Sequence, residues 1–130
     1  MLIVKSKSWD DQLSKHFALK EFRCRCDHED CLVTKVDTDL IDILEEIRAM
    51  LGTSLKVTSG FRCETHNKEV DGAVASSYHV KGMAADILVP DHYHNPLAAA
   101  YHGRLGIGFY TNRLHIDVRK GCARWGKIPK

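Results

Sequence analysis

The chain has 130 residues, 44% hydrophobic and 28% charged, enough for one hydrophobic core and too few for two comfortable ones. Lys and Arg number 19 against 17 for Asp and Glu, and no basic stripe interleaves with aromatics, so nothing points to nucleic acid. No stretch of about eighteen apolar residues occurs, which excludes a membrane-spanning helix.

Along the chain, Met1-Leu2-Ile3-Val4-Lys5 is far too short an apolar stretch for a secretory signal, and no small-residue cleavage site follows it. The expectation is synthesis in the cytoplasm. Residues 1–36 read as an N-terminal arm followed by a Cys-rich turn. In that turn, Cys24-x-Cys26-x-His28-x-x-Cys31 has enough soft ligands for a small zinc knuckle joined by Cys63. Its spacing is tighter than that of zinc ribbons, and unlinked or buried thiols are the favoured reading.

From Asp37 to Leu51, Leu40, Ile43, Leu44, Ile47 and Leu51 repeat at the spacing of one buried helical face. Asp37 or Thr38 caps its start, and Gly52 suits the left-handed position after its end. Leu55 to Ser59 alternates as a short strand, and Glu64 to Val70 reads as a short helix ending near Asp71-Gly72. Met83 to Val89 reads as a strand stopped by Pro90. Pro96 to His102 reads as a helix, and Leu105–Tyr110 and Arg113–Arg119 as strands joined at Thr111-Asn112. Helices come mostly early and strands late, which favours an α+β arrangement with a small antiparallel sheet and helices on one face.

Two segments carry chemistry. Taken as a strand, Arg113 to Arg119 puts Leu114, Ile116 and Val118 on one face and His115, Asp117 and Arg119 on the other. In Ser76-Ser77-Tyr78-His79-Val80-Lys81-Gly82-Met83-Ala84-Ala85-Asp86-Ile87, Gly82 can take a positive φ and turn His79 back beside Asp86. A carboxylate flanked by Ala84, Ala85, Ile87 and Leu88 needs a partner, because burying it unpaired is very costly. A metal ion is the most economical partner, with a salt bridge to Arg62 as the alternative. His79, Asp86 and His115 would leave a fourth position open, the pattern of catalytic zinc. Trp125, Phe17 and Phe22 read as core.

Ser77-x-His79-x-x-Gly82-x-Ala84-x-Asp86, preceded by Ser59-Gly60-Phe61-Arg62 and followed by His115-x-Asp117, resembles the zinc D-alanyl-D-alanine carboxypeptidase family. That family shares its fold with the hedgehog signalling domain and includes bacterial and phage peptidoglycan peptidases. The resemblance runs from about His16-Phe17 to Trp125 and includes Asn67 and Val70-Asp71-Gly72-Ala73. It implies a hedgehog-like fold, Zn2+ on His79, Asp86 and His115, Arg62 as the carbonyl-polarising cation and Ser77 as a substrate-binding hydroxyl. Several branches carry an acidic general base three residues before the last His, where this chain has Asn112. The nearest carboxylate is then Asp117, about 7 Å along a strand, either in the proton path or orienting His115.

The implied function is hydrolysis of a peptide bond beside a D-amino acid in peptidoglycan stem peptides or cross-links. The enzyme would be a monomer acting at the cell wall or periplasm, in the manner of a phage lysis or virion-associated protein. A zinc-holding binding module and a cytoplasmic D-dipeptide hydrolase are the rival readings.

Overall fold

The computed structural model describes residues 1–70 and 77–129. The Asp71-Gly72-Ala73 part of the expected motif lies outside them. A strand β1 (Leu2–Ser6) pairs antiparallel with β2 (Val33–Asp37). The segment expected as an arm and turn thus contains a strand pair, and it also sends Phe17, Leu19 and Phe22 into the core. The leading apolar residues gave no such signal, because β1 stays largely exposed and its partner lies some thirty residues away.

Helix α1 (Thr38–Leu51) follows β2 directly. Its N-cap is Asp37, whose carboxylate accepts from Asp39 N at 2.9 Å. Gly52 closes the helix with φ 66°. Leu40, Ile43, Leu44 and Ile47 are buried as the periodicity predicts. They share one core with Val57, Ala85, Ile87, Ile107, Leu114 and Ile116. Strand β3 (Val57–Ser59), helix α2 (Glu64–Glu69), strand β4 (Ala84–Leu88) and helix α3 (His94–Ala100) come next. The last of these begins two residues before Pro96 and follows a 3-10 turn over Asp91–Tyr93.

Strands β5 (Leu105–Tyr110), β6 (Arg113–Asp117) and β7 (Cys122–Gly126) complete a five-stranded sheet of order β3-β4-β6-β5-β7. The α+β class holds. The sheet is mixed rather than purely antiparallel, because β7 runs parallel to β5. Among the described residues no helix is long and apolar enough to cross a membrane.

The N-terminal segment is fastened to α1 through Glu45, which accepts from His16 N at 3.0 Å, from His16 Nδ1 at 2.6 Å and from Ser14 Oγ. Burial alone would raise the Glu45 pKa, but these hydrogen bonds outweigh it and hold the carboxyl below its ordinary value of 4.5. A depressed carboxyl stabilises the fold fully above its unfolded pKa and loses that contribution as pH falls through the folded one. The stability difference between the wild type and Glu45→Gln, measured by urea denaturation, is therefore expected to be largest near neutrality. It should shrink as pH drops below 4.5; a pH-independent difference would contradict the linkage.

Candidate metal centre

The alternation of β4 and β6 puts one face of the sheet in the core and leaves the other for polar groups. Asp86 on β4 and His115 on β6 are direct cross-strand partners, so their side chains leave the same face side by side. His79 arrives from the turn before β4. Gly82 in that turn has φ +74°, and a Cβ there would fall 2.7 Å from the backbone carbonyl of Lys35. Both the left-handed backbone and the close approach demand glycine.

The three side chains converge. Asp86 Oδ1 lies 3.3 Å from His79 Nε2 and 3.2 Å from His115 Nδ1. One ligand atom from each residue lies within 4.8 Å of the other two. The opposite nitrogen of each ring is engaged. His79 Nδ1 donates to Gly60 O at 2.7 Å, and His115 Nε2 donates to Asp117 Oδ2 at 2.8 Å. Each ring is thereby oriented with its other nitrogen toward Asp86, the arrangement that commonly supports a metal-bound imidazole. Metal–ligand distances of about 2.0–2.1 Å in a tetrahedral site require ligand–ligand edges of about 3.3 Å. The two separations from Asp86 fit.

Around this trio, Arg62 Nη2 stands 3.5 Å from Asp86 Oδ2, and its other nitrogens reach Asn67 Oδ1 and Ser59 Oγ, each at 3.3 Å. Arg62 N also donates to His79 O at 3.2 Å. Ser77 is buried and its Oγ accepts from His79 N at 3.2 Å. Asn112, at the β5–β6 turn with φ 52°, accepts on Oδ1 from Asp91 N at 3.1 Å and is committed to the turn.

Asp117 is fully buried. Arg119 Nε and Nη2 donate to its two oxygens at 2.7 Å each, and the second oxygen also takes the His115 proton. Burial would raise the Asp117 pKa, but Arg119 and His115 hold it well below the usual carboxylate range. Asp86 is depressed in the same way, its hydrogen bonds to His115 and His79 outweighing burial. The His115 imidazole is pushed upward: burial opposes its charge, but Asp117 and Asp86 favour it more strongly. A proton so held on His115 must leave before the ring can ligate a metal ion.

Arg119, Tyr78 and Trp125 complete the wall. The Arg119 guanidinium lies 4.5 Å from the Tyr78 ring and 5.3 Å from that of Trp125, and the Trp125 indole sits 5.0 Å from the His115 ring. Trp125, expected in the core, is partly exposed at the site because the parallel β7 returns it to the polar face. Gly106 and Gly108 on β5 stand opposite Asp117 and His115. A Cβ on Gly108 would fall 2.5 Å from Trp125 Nε1, and one on Gly106 would strike the Asp117 carboxylate. Alternating glycines in a strand signal such close approach, and Arg119, two residues beyond the end of β6 at Asp117, continues the polar alternation expected over Arg113–Arg119; these were the available signs of the extra wall residues.

Among curated proteins none matches the chain. A family profile described as Peptidase M15 matches residues 15–118, which include His79, Asp86, His115 and Asp117. The chain therefore belongs to the Peptidase M15 family, a zinc D-alanyl-D-alanine carboxypeptidase-like family of metallopeptidases.

Proposed function

We propose that the chain is a zinc peptidase that hydrolyses a peptide bond beside a D-amino acid in peptidoglycan stem peptides or cross-links. Family membership supports the substrate class. The observation that carries the metal centre is Asp86 Oδ1, held 3.3 Å and 3.2 Å from two imidazole nitrogens whose opposite nitrogens are already committed. His79, Asp86 and His115 would hold Zn2+, which when bound supplies Lewis acidity toward the scissile carbonyl and makes water a better nucleophile.

The remaining roles belong to the chain's own groups. Hydrolysis adds a hydroxyl to the carbonyl carbon, breaks the C–N bond and delivers a proton to the leaving amine. Arg62, whose Nη2 lies 3.5 Å from Asp86 Oδ2, would stabilise the negative charge that develops on the carbonyl oxygen. Asp117 acts as a positioning residue: with both oxygens bonded to Arg119 and one to His115, it fixes the His115 ring and is a poor proton acceptor. Ser77 secures the turn carrying His79, and a hydroxyl that accepts there still has a hydrogen to donate to substrate.

Mass spectrometry of purified peptidoglycan incubated with the zinc-loaded protein tests this reading. New stem-peptide fragments should appear, vanish with His115→Ala and fall with Asp117→Asn. If Asp117 positions His115, Asp117→Asn should weaken metal affinity by about 10–100-fold, a change that a proton-path role alone would not produce. A non-catalytic binding module is the second reading, favoured by the commitment of Asn112 to the β5–β6 turn. Absence of fragments while zinc remains bound would overturn the cell-wall peptidase reading in favour of the binding module or a different peptide substrate.

A further inference from the structure

Outside the His-Asp-His centre, a second group of metal-binding side chains lies on the same chain. Cys24 and Cys26 follow the 3-10 turn over Leu19–Phe22, Cys31 precedes β2, and Cys63 caps α2. Their four sulfurs all lie within 4.8 Å of one another. We propose that Cys24, Cys26, Cys31 and Cys63 form a closed tetrathiolate site for a structural zinc ion.

The geometry supports a cluster about one point. Cys63 Sγ is 3.8 Å from Cys24 Sγ and also 3.8 Å from Cys26 Sγ. Tetrahedral zinc–sulfur arms of about 2.3 Å give sulfur–sulfur edges of about 3.8 Å. A disulfide pairing would force Cys63 to choose one neighbour, whereas the four sulfurs gather without pairing. His28, which the spacing offered as a ligand, is turned away onto Glu69; Cys63, thirty-two residues beyond Cys31 in the sequence, completes the group.

The surroundings suit thiolates. Cys63 N donates to Cys24 Sγ, His66 N to Cys63 Sγ and Lys7 Nζ to Cys26 Sγ, each at 3.4 Å. Such donors stabilise negative sulfur and leave its lone pairs on the far side for a cation. Four thiolates around a divalent ion carry a net double negative charge, and Lys7, Arg23 and Arg25 line the same surface as Cys24 and Cys26. Phe61 packs against Cys24 and Cys31 and shields the cluster from one side. Four protein ligands leave no open position, so the ion is structural.

Its structural effect is specific. The ion would tie the loop over residues 24–31 to the start of α2, one residue after Arg62. That same segment supplies Gly60 O to His79 Nδ1 and Arg62 N to His79 O. A cysteine-held metal would therefore anchor the backbone that orients one imidazole of the other centre. The proposal does not depend on the peptidase reading.

The test uses the full chain purified under reducing conditions. Elemental analysis should give two zinc ions per chain for the wild type and one for His115→Ala. Cobalt substitution of both proteins should produce the intense near-ultraviolet charge-transfer band of thiolate ligands. A mercurial thiol reagent should then release one zinc from His115→Ala, and Cys31→Ser should lose that ion. If Cys31→Ser does not fold, the cobalt spectrum of the wild type decides alone. A wild type lacking the thiolate band, or an intact mass lowered by the hydrogens of disulfides among these cysteines, would overturn the proposal. Failure to digest cell wall would leave these readouts unchanged.

Discussion

Asp86→Asn is expected to empty the His79–His115 centre of metal and to reduce peptide hydrolysis by roughly a thousandfold or more, given that Lewis-acid stabilisation is worth several kcal/mol. The amide matches the carboxylate in shape but removes the one negative charge that both imidazoles face at 3.3 Å and 3.2 Å. Arg62, 3.5 Å from the same side chain, would then have no counter-charge there and would repel an incoming cation. Metal content per chain, measured beside hydrolysis, checks the cause. Full activity with bound metal would remove Asp86 from the ligand set.

Arg62→Ala should act differently. The expected result is a fall in kcat of about 10²–10³ with metal content unchanged, the cost of removing one donor from an oxyanion site. Arg62→Lys should restore only part, because an ammonium cannot reproduce the planar fork that now spans Asn67, Ser59 and Asp86. Steady-state kinetics with a synthetic stem peptide separates the alternatives. A raised KM with kcat intact would make Arg62 a substrate-binding group of equal strength in ground and transition states.

The convergence of His79, Asp86 and His115 was legible because two local rules coincide. Period-two alternation placed His115 and Asp117 on one face of β6, and the positive φ open to Gly82 let the chain turn His79 back toward Asp86. The α1 boundary was legible for similar reasons, since Asp37 and Gly52 are end signals with local mechanisms. What escaped depends on contacts between distant segments. β1 reads as an arm because it is largely exposed, and β2 because its two buried residues are Thr34 and Val36, so its hydropathy does not follow its burial. β7 pairs parallel at a sheet edge, so nothing local marks Cys122–Gly126 as a strand or turns Trp125 toward His115. The cysteines show the same limit: the sequence offered both His28 and Cys63 beside the Cys24–Cys31 turn, and only the fold turns His28 onto Glu69 and brings Cys63 to the other three sulfurs.

The pairing of Asp86 with His115 across β4 and β6 has a consequence for how the sheet keeps its alignment. A slip of one residue in either strand would send that strand's ligand into the core and replace it with an aliphatic side chain. A metal ion that binds only the aligned sheet adds its binding free energy to that alignment alone. A cation held there would clamp the strand register in addition to any part it takes in hydrolysis. Amide hydrogen exchange in β4 and β6 should slow on metal loading more than exchange in α3, which contributes no ligand to the centre.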